Sequence, residues 1–272
     1  MESKILEHVI ETSKKAGWAA LDYYNSEVEV DKKDDDSPIT KADRESNRII
    51  LEELSRYDYG ILSEEKEDDK KRLEQDRVWV IDPLDGTKDF INQTDEFSVM
   101  IGLVEHTGKL FRPILGVVYV PAQDTVYYAL KDGGAFKKVS DDDPEPIRVS
   151  EVDTASECRM VGSRFHSSEL EDKIEKALEI QTRIPCGSVG VKISKIASGE
   201  AELNFNPSDK TWEWDVCAPD IIMMEAGGTL TDLDGKFFNY NRKDPRNHRG
   251  YIASNGSCHN HVIEEVQNYE KD

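Results

Sequence analysis

One short stretch, VWVIDPLDGTKDF at residues 78–90, constrains the fold more than any other part of the chain. Apolar, strand-forming residues run directly into two acids, Asp82 and Asp85. Pro83 and Gly86 favour a tight turn, so the two carboxylates can converge in one loop. Carboxylates this close repel each other unless a positive group or solvent compensates their charge. The stretch therefore predicts a strand that ends at a site with a partner for both acids.

The oxygen atoms of this stretch suit a hard cation. The carboxylates of Asp82 and Asp85 and the main-chain carbonyl of Leu84 are oxygen ligands, which magnesium prefers and zinc does not. The amides of Gly86 and Thr87 follow at a predicted helix start, where backbone N–H groups can hold a phosphate. The pattern predicts a cation and a phosphate side by side, although a turn of this composition can also be purely structural.

Two further acids stand at the ends of predicted elements. Glu64 follows a short apolar strand at residues 60–62, and Asp215 directly precedes an apolar helix. Taken singly, a surface acid and a helix N-cap would explain them. Together with the pair in the first stretch, they indicate a cluster of carboxylates.

The net charge of −21 argues against binding to a nucleic acid polymer, since that requires a basic face. An anionic substrate would need metal ions or focused basic groups to reverse the local sign of the potential. The four cysteines form no paired motif, which predicts reduced thiols. The acidic start resembles no signal peptide, and no apolar run approaches the roughly 20 residues of a membrane helix. We therefore predict a cytoplasmic protein that binds no membrane.

The two halves of the chain differ in their pattern. In the first half, apolar periodicity predicts a helix at residues 3–24, and Thr40 with Asp43 predicts a capping box that opens a second helix. A mostly antiparallel sheet follows, with strands at residues 78–81, 97–104, 114–120 and 125–130. The second half alternates, with strands at residues 159–162, 201–205 and 229–233 and helices at 168–180, 189–197 and 216–225. The polar segment 140–153 predicts a boundary between an α+β domain, residues 1–150, and an α/β domain, residues 151–272.

Four motifs in order resemble those of the inositol monophosphatase superfamily of magnesium-dependent, lithium-sensitive phosphatases. They are SPITKAD (37–43), SEE (63–65), WVIDPLDGTKDF (79–90) and WEWDVCAPDIIMMEAGG (212–228). The resemblance spans most of the chain and implies the layered αβαβα sandwich of the sugar phosphatases. Within the superfamily, TKDF after DPLDG and the segment GSVGVKISKIASGEAEL are similar to the 3'(2'),5'-bisphosphate nucleotidase branch. Members of that branch remove the 3'-phosphate from 3'-phosphoadenosine 5'-phosphate.

The resemblance also implies roles for individual residues. It implies two or three magnesium ions, held by Glu64, Asp82, the Leu84 carbonyl, Asp85 and Asp215. It implies that Asp43 and Thr87 orient and deprotonate the attacking water. The substrate contacts that it implies are Gly86, Thr87, Ser163, His166 and Lys192. In this scheme the first domain carries most metal ligands, and the second adds Asp215 and substrate contacts.

Two alternatives share this chemistry in part. An inositol or sugar monophosphatase would use the same metal ligands on a small phosphorylated substrate. A non-catalytic protein that binds a cation or metabolite would keep the acids but would not need the pair Asp43 and Thr87. The sequence leaves a monomer and a homodimer equally open.

Overall fold

The computed structural model describes residues 2–24, 30–32, 38–164 and 168–270. The first half contains α1 (Glu2–Tyr24), β1 (Val30–Lys32), β2 (Pro38–Thr40), α2 (Lys41–Leu54), β3 (Gly60–Ser63), β4 (Arg77–Asp85), α3 (Thr87–Ile91), β5 (Ser98–His106), β6 (Phe111–Val120), β7 (Thr125–Leu130), β8 (Ala135–Val139) and β9 (Glu145–Ile147). The second half contains β10 (Arg159–Ser163), α4 (Glu169–Ala177), β11 (Thr182–Cys186), α5 (Val189–Ala197), β12 (Leu203–Asn206), β13 (Thr211–Trp212), α6 (Glu213–Glu225), β14 (Thr229–Thr231), β15 (Arg246–Asn247), β16 (Tyr251–Ser254) and α7 (His259–Tyr269).

Within the described residues, strands β3 to β9 form a seven-stranded sheet in chain order. Only the β3–β4 pair is parallel, and the other pairs are antiparallel, as the sequence predicts. Side chains alternate along β4: Trp79 and Ile81 pack against α1 and α2, whereas Val78 and Val80 pack on the opposite face. The continuous apolar run of β4 therefore reflects a strand that is buried on both faces.

A second sheet of five described strands has the order β11-β10-β12-β16-β14. Helices α5 and α6 lie between the two sheets, and α4 and α7 cover the outer face of the second one. Because apolar residues of α6 lie on more than one side of the helix, both sheets can pack against it at once. The order of layers is αβαβα, which confirms the predicted fold class.

Two glycines allow α6 to lie close to the first sheet. A Cβ atom at Gly116 would lie 2.4 Å from the carbonyl oxygen of Ala218, and one at Gly102 would lie 2.6 Å from Sγ of Cys217. Both distances are shorter than real atoms tolerate, so only glycine fits here. The close approach seats Cys217 and Ala218 of α6 directly on β5 and β6.

The structure corrects one boundary that matters for function. The sequence predicts that the strand ends at Ile81, but β4 continues through Asp82 to Asp85. A register shift between the two acids lets the ladder continue, with Asp82 opposite Met100 and Asp85 opposite Ser98. Both carboxylates therefore start from a bulged strand rather than a free loop, which fixes their backbone.

The division into domains 1–150 and 151–272 stays a prediction. One buried apolar cluster contains residues from both parts, including Val80 and Met100 from the first and Val161 and Ala253 from the second. Across the described ranges, no helix combines the length and the apolar character that crossing a membrane requires.

Candidate active site

Three acids from two distant segments of the sequence meet between the two sheets. Carboxylate oxygens of Asp82, Asp85 and Asp215 all lie within 4.8 Å of one another. Asp82 and Asp85 are 1% and 7% exposed, and Asp215 is half-buried in the first turn of α6. Backbone amides of neighbouring residues hold two of these carboxylates in place. The amide of Leu84 donates to Asp82 (3.0 Å), and the amide of Trp212 donates to Asp215 (2.6 Å).

Asp85 is held by the start of α5. Its Oδ2 accepts hydrogen bonds from the Ser188 hydroxyl and from the amide of Gly190 (2.8 Å), and more weakly from Ser98 (3.4 Å). Ser188 is also the N-cap of α5, where its oxygen accepts from the amide of Val191 (3.1 Å). These donors occupy Oδ2, so the remaining oxygen, Oδ1, can face the other carboxylates.

Burial and mutual repulsion disfavour the charged form of this cluster. Burial is the main cause that raises the pKa of Asp82, followed by the charges of Glu64, Asp85 and Asp215. The pKa of Asp215 is raised well above its usual value by burial, followed by the charges of Asp85 and Glu64. Burial also raises the pKa of Asp85, although the donors on α5 oppose it. A cation would offset this repulsion, and the donors are all oxygen atoms, so the cluster can hold a hard metal ion.

Glu64 and Leu84 lie beside the cluster. Glu64 directly follows β3, its amide donates to the carbonyl of Ile81 (3.1 Å), and its side chain is half-buried. Its charge contributes to the raised pKa of Asp82. The carbonyl of Leu84 accepts a long hydrogen bond from the Thr87 hydroxyl (3.4 Å).

Asp43 and Thr87 are in contact, although they come from different elements. The Thr87 hydroxyl donates to Oδ1 of Asp43 over 3.3 Å. Oδ2 of Asp43 accepts from the amide (2.8 Å) and the hydroxyl (2.5 Å) of Thr40, in the capping box that opens α2. The capping box that the sequence predicts therefore also fixes the Asp43 carboxylate, which is 2% exposed.

A cleft of about 630 Å³ opens beside Asp215. Its lining includes Lys88, Ser163, Lys192, Lys210 and Thr211. The three lysines face Glu171 and Asp215 in the same lining, so the cleft brings basic groups next to the acids in a chain of net charge −21. The side chain of Lys192 is 95% buried, and its charge lowers the pKa of both Asp85 and Asp215.

Three further substrate contacts implied by the family resemblance are Ser163, Gly86 and His166. Ser163 lies in the cleft lining, at the end of β10. Gly86 precedes α3 with φ of 89°, a conformation that glycine adopts without strain. His166 lies outside the described residues.

Sequence reasoning missed several residues at the site. Ser188 stands before an apolar helical run, which marks an N-cap, but no local pattern indicates its bond to Asp85. Thr211 lines the cleft, and its buried Oγ1 has no hydrogen-bond partner among the described residues. Lys210 lines the same cleft, and its sequence neighbours resemble those of any polar loop.

Comparison with known proteins places this chain among the phosphoric monoester hydrolases. The chain belongs to the inositol monophosphatase family, whose model matches residues 1–271.

Individual relatives in this family carry two kinds of name. A 3'(2'),5'-bisphosphate nucleotidase CysQ from Salmonella typhimurium is 36% identical over 250 residues, covering 88% of this chain and 95% of the relative. A fructose-1,6-bisphosphatase/inositol-1-monophosphatase from Thermotoga maritima is 34% identical over 235 residues, covering 84% of this chain and 82% of the relative. Among solved structures, a Thermotoga maritima IMPase superimposes with a TM-score of 0.83 at 28% identity and covers 98% of both chains.

Proposed function

We propose that this phosphatase uses magnesium to remove the 3'-phosphate from 3'-phosphoadenosine 5'-phosphate. The observation that carries the proposal is the lysine-lined cleft beside the carboxylate cluster. A substrate with two phosphates needs one site for the reacting group and a second positive site for the other. The similarity to CysQ nucleotidases over most of the chain supports the same substrate.

The metal site that we propose consists of Glu64, Asp82, Asp85, Asp215 and the carbonyl of Leu84. We infer two or three magnesium ions, because this number of carboxylates exceeds what one ion requires. When bound, magnesium lowers the pKa of water and stabilises negative charge on a leaving oxygen. The buried carboxylates provide a fixed, water-poor frame for that chemistry.

We assign the orientation of the attacking water to Thr87 and Asp43. The Thr87 hydroxyl already donates toward Asp43 Oδ1, so its oxygen can accept a hydrogen bond from water. The Asp43 carboxylate is held by the amide and hydroxyl of Thr40, so it can draw the proton of the Thr87 hydroxyl as the water attacks. The pair therefore positions the water and takes up its proton.

We assign the substrate phosphates to two separate groups of donors. The amides of Gly86 and Thr87 follow directly after the metal ligands and would bind the reacting phosphate. Lys192 and Ser163, which line the cleft, would bind the other phosphate and the ribose side. Lys192 is buried beside the acids, so its charge acts over a short, poorly screened distance.

An inositol or sugar monophosphatase is the second candidate, and the Thermotoga maritima relative favours it. That activity would use the same metal ligands and would gain little from the lysines of the cleft. Membership of a phosphatase family favours both enzymes over a non-catalytic cation-binding protein.

The test compares phosphate release from 3'-phosphoadenosine 5'-phosphate, inositol 1-phosphate and fructose 1,6-bisphosphate in the presence of magnesium. Preference for the nucleotide is expected, and Asp85→Asn should abolish all release. Preference for inositol phosphate or the sugar would overturn the nucleotide assignment and leave the metal site intact.

A matched pair of lysines on α5 tests the second phosphate site. Lys192→Ala should raise KM for the nucleotide by about 10–100-fold, since a hydrogen bond to a charged group contributes roughly 1.5–3 kcal/mol. Lys195→Ala is the control, because Lys195 lies on the same helix but pairs with Glu200 at 4.0 Å. Equal effects of Lys192→Ala on the nucleotide and on inositol 1-phosphate would contradict the proposal.

A further inference from the structure

We propose that Cys158 and Cys258 are a disulfide-forming pair that closes residues 158–258 into one covalent loop. Their Sγ atoms are 2.6 Å apart in the reduced protein, although the residues are 100 positions apart in sequence. Both side chains are buried, each about 1% exposed. The loop would contain Lys192, Thr211 and Asp215, which are among the residues that the second half of the chain contributes to the proposed active site.

The backbone holds the two cysteines together independently of the sulfur atoms. Cys158 directly precedes β10, and Cys258 is the N-cap of α7. Glu202 lies between them: its amide donates to the carbonyl of Arg159, and its carbonyl accepts from the amide of Asn255, both over 3.0 Å. The buried Glu202 carboxylate also accepts from the amide of Arg159 (2.6 Å). A disulfide would therefore join segments whose positions are already fixed.

The other two cysteines have different surroundings. Cys186 Sγ contacts the carbonyl of Ser188 (3.7 Å), and Cys217 faces Gly102 of the first sheet. The sequence, in which the four cysteines are scattered, does not distinguish them. The fold alone selects one pair.

Exchange with a small disulfide such as glutathione disulfide gives a balanced reaction. Cys258 lies at the N-terminus of α7, and its contact with Cys158 lowers its pKa and raises that of Cys158. The Cys258 thiolate attacks one sulfur of glutathione disulfide and releases one glutathione thiolate. Cys158 then loses its proton to that thiolate and attacks Sγ of the mixed disulfide, which releases the second glutathione. Two protein thiols are oxidised, and one glutathione disulfide is reduced to two thiols.

Since both sulfurs are buried, this exchange requires local opening at α7 and is expected to be slow in the folded state. The experiment therefore equilibrates the purified full chain in glutathione buffers of increasing oxidised fraction. Acid quenching, alkylation and intact mass then count the remaining thiols. We expect two of the four cysteines to stay alkylatable, and a tryptic digest should contain the Cys158 peptide linked to the Cys258 peptide.

Two results would overturn the proposal. One is the retention of four free thiols in the most oxidising buffer. The other is a link that involves Cys186 or Cys217. Because both readouts use the unmodified sequence, they decide the question even if a cysteine variant fails to fold.

The thermal stability of the oxidised and reduced forms gives a second test. The oxidised protein should unfold at a temperature at least about 5 °C above that of the reduced protein, since a long closed loop restricts the unfolded chain. Cys158→Ser and Cys258→Ser should each abolish this difference, and Cys217→Ser should retain it. Equal midpoints for the oxidised and reduced forms would contradict the proposal.

Discussion

Ser188 donates a hydrogen bond to Oδ2 of Asp85, a residue 103 positions away in sequence. This bond joins the start of α5 to the bulged strand β4 and leaves the second carboxylate oxygen of Asp85 for a cation. Removing the hydroxyl in Ser188→Ala should weaken magnesium binding by about 10–100-fold, the usual effect of losing a group that orients a metal ligand. The magnesium dependence of phosphate release measures this change.

Ser194→Ala is the control for that experiment. Ser194 is a buried serine of the same helix, and its Oγ has no hydrogen-bond partner among the described residues. Its loss should leave the magnesium dependence unchanged. The assignment of Ser188 fails if both variants show the same half-saturating magnesium concentration as the wild type.

Magnesium should stabilise the folded protein even without substrate. Burial raises the pKa of Asp82, Asp85 and Asp215, so we expect their negative charges to destabilise the metal-free fold. A cation that binds only the folded state at 100 times its Kd adds about 2.7 kcal/mol to the free energy of unfolding. Thermal unfolding with magnesium and with a chelator should show the difference in the wild type and a much smaller one in Asp85→Asn. An equal shift in both proteins would place the cation elsewhere.

Thr87 should affect turnover more than metal binding. Thr87→Val keeps the shape of the side chain but removes the hydroxyl that contacts Asp43, so kcat should fall by about 10²–10⁴-fold, the usual contribution of a positioned proton-transfer group. Thr87→Ser should retain most activity. Calorimetric titration with magnesium gives the second readout, and a large loss of metal affinity in Thr87→Val would argue for a ligand role instead.

Asp220 should make stability dependent on pH. Its buried carboxyl contacts the Tyr240 hydroxyl (2.8 Å), and burial raises its pKa from 3.8 to about 7. Because the folded state binds this proton more tightly than the unfolded state, the stabilisation is complete below pH 3.8 and is lost as the pH rises to about 7.

Asp220→Asn removes this titration and keeps a side chain of the same shape. Denaturant unfolding between pH 4 and 8 gives the free energy of unfolding of both proteins. The value for the variant minus that for the wild type should increase up to about pH 7 and then stay level. A constant difference across the range would show that Asp220 does not titrate in the folded protein.

Local sequence patterns determined much of the fold. The periodicity of α1, the capping box of Thr40 and Asp43, and the apolar run before Asp82 each depend on residues that are close in sequence. Short-range geometry decides such features, so they can be predicted from one chain. The acids of the site were predictable for the same reason, since Glu64 directly follows a strand, Asp85 ends one and Asp215 lies in the first turn of a helix.

Only the tertiary structure decided which distant groups meet. The bond between Ser188 and Asp85, the contact between Cys158 and Cys258, and the position of Lys210 and Thr211 in the cleft all depend on the packing of α5, α6 and the second sheet. The continuation of β4 through Asp82 also required the neighbouring strand, because the bulge is defined by its pairing with Met100 and Ser98. The sequence by itself determined the chemical groups and the local elements. The tertiary structure determined which of these groups lie within bonding distance. The reason is that long-range packing depends on the whole core rather than on any single segment.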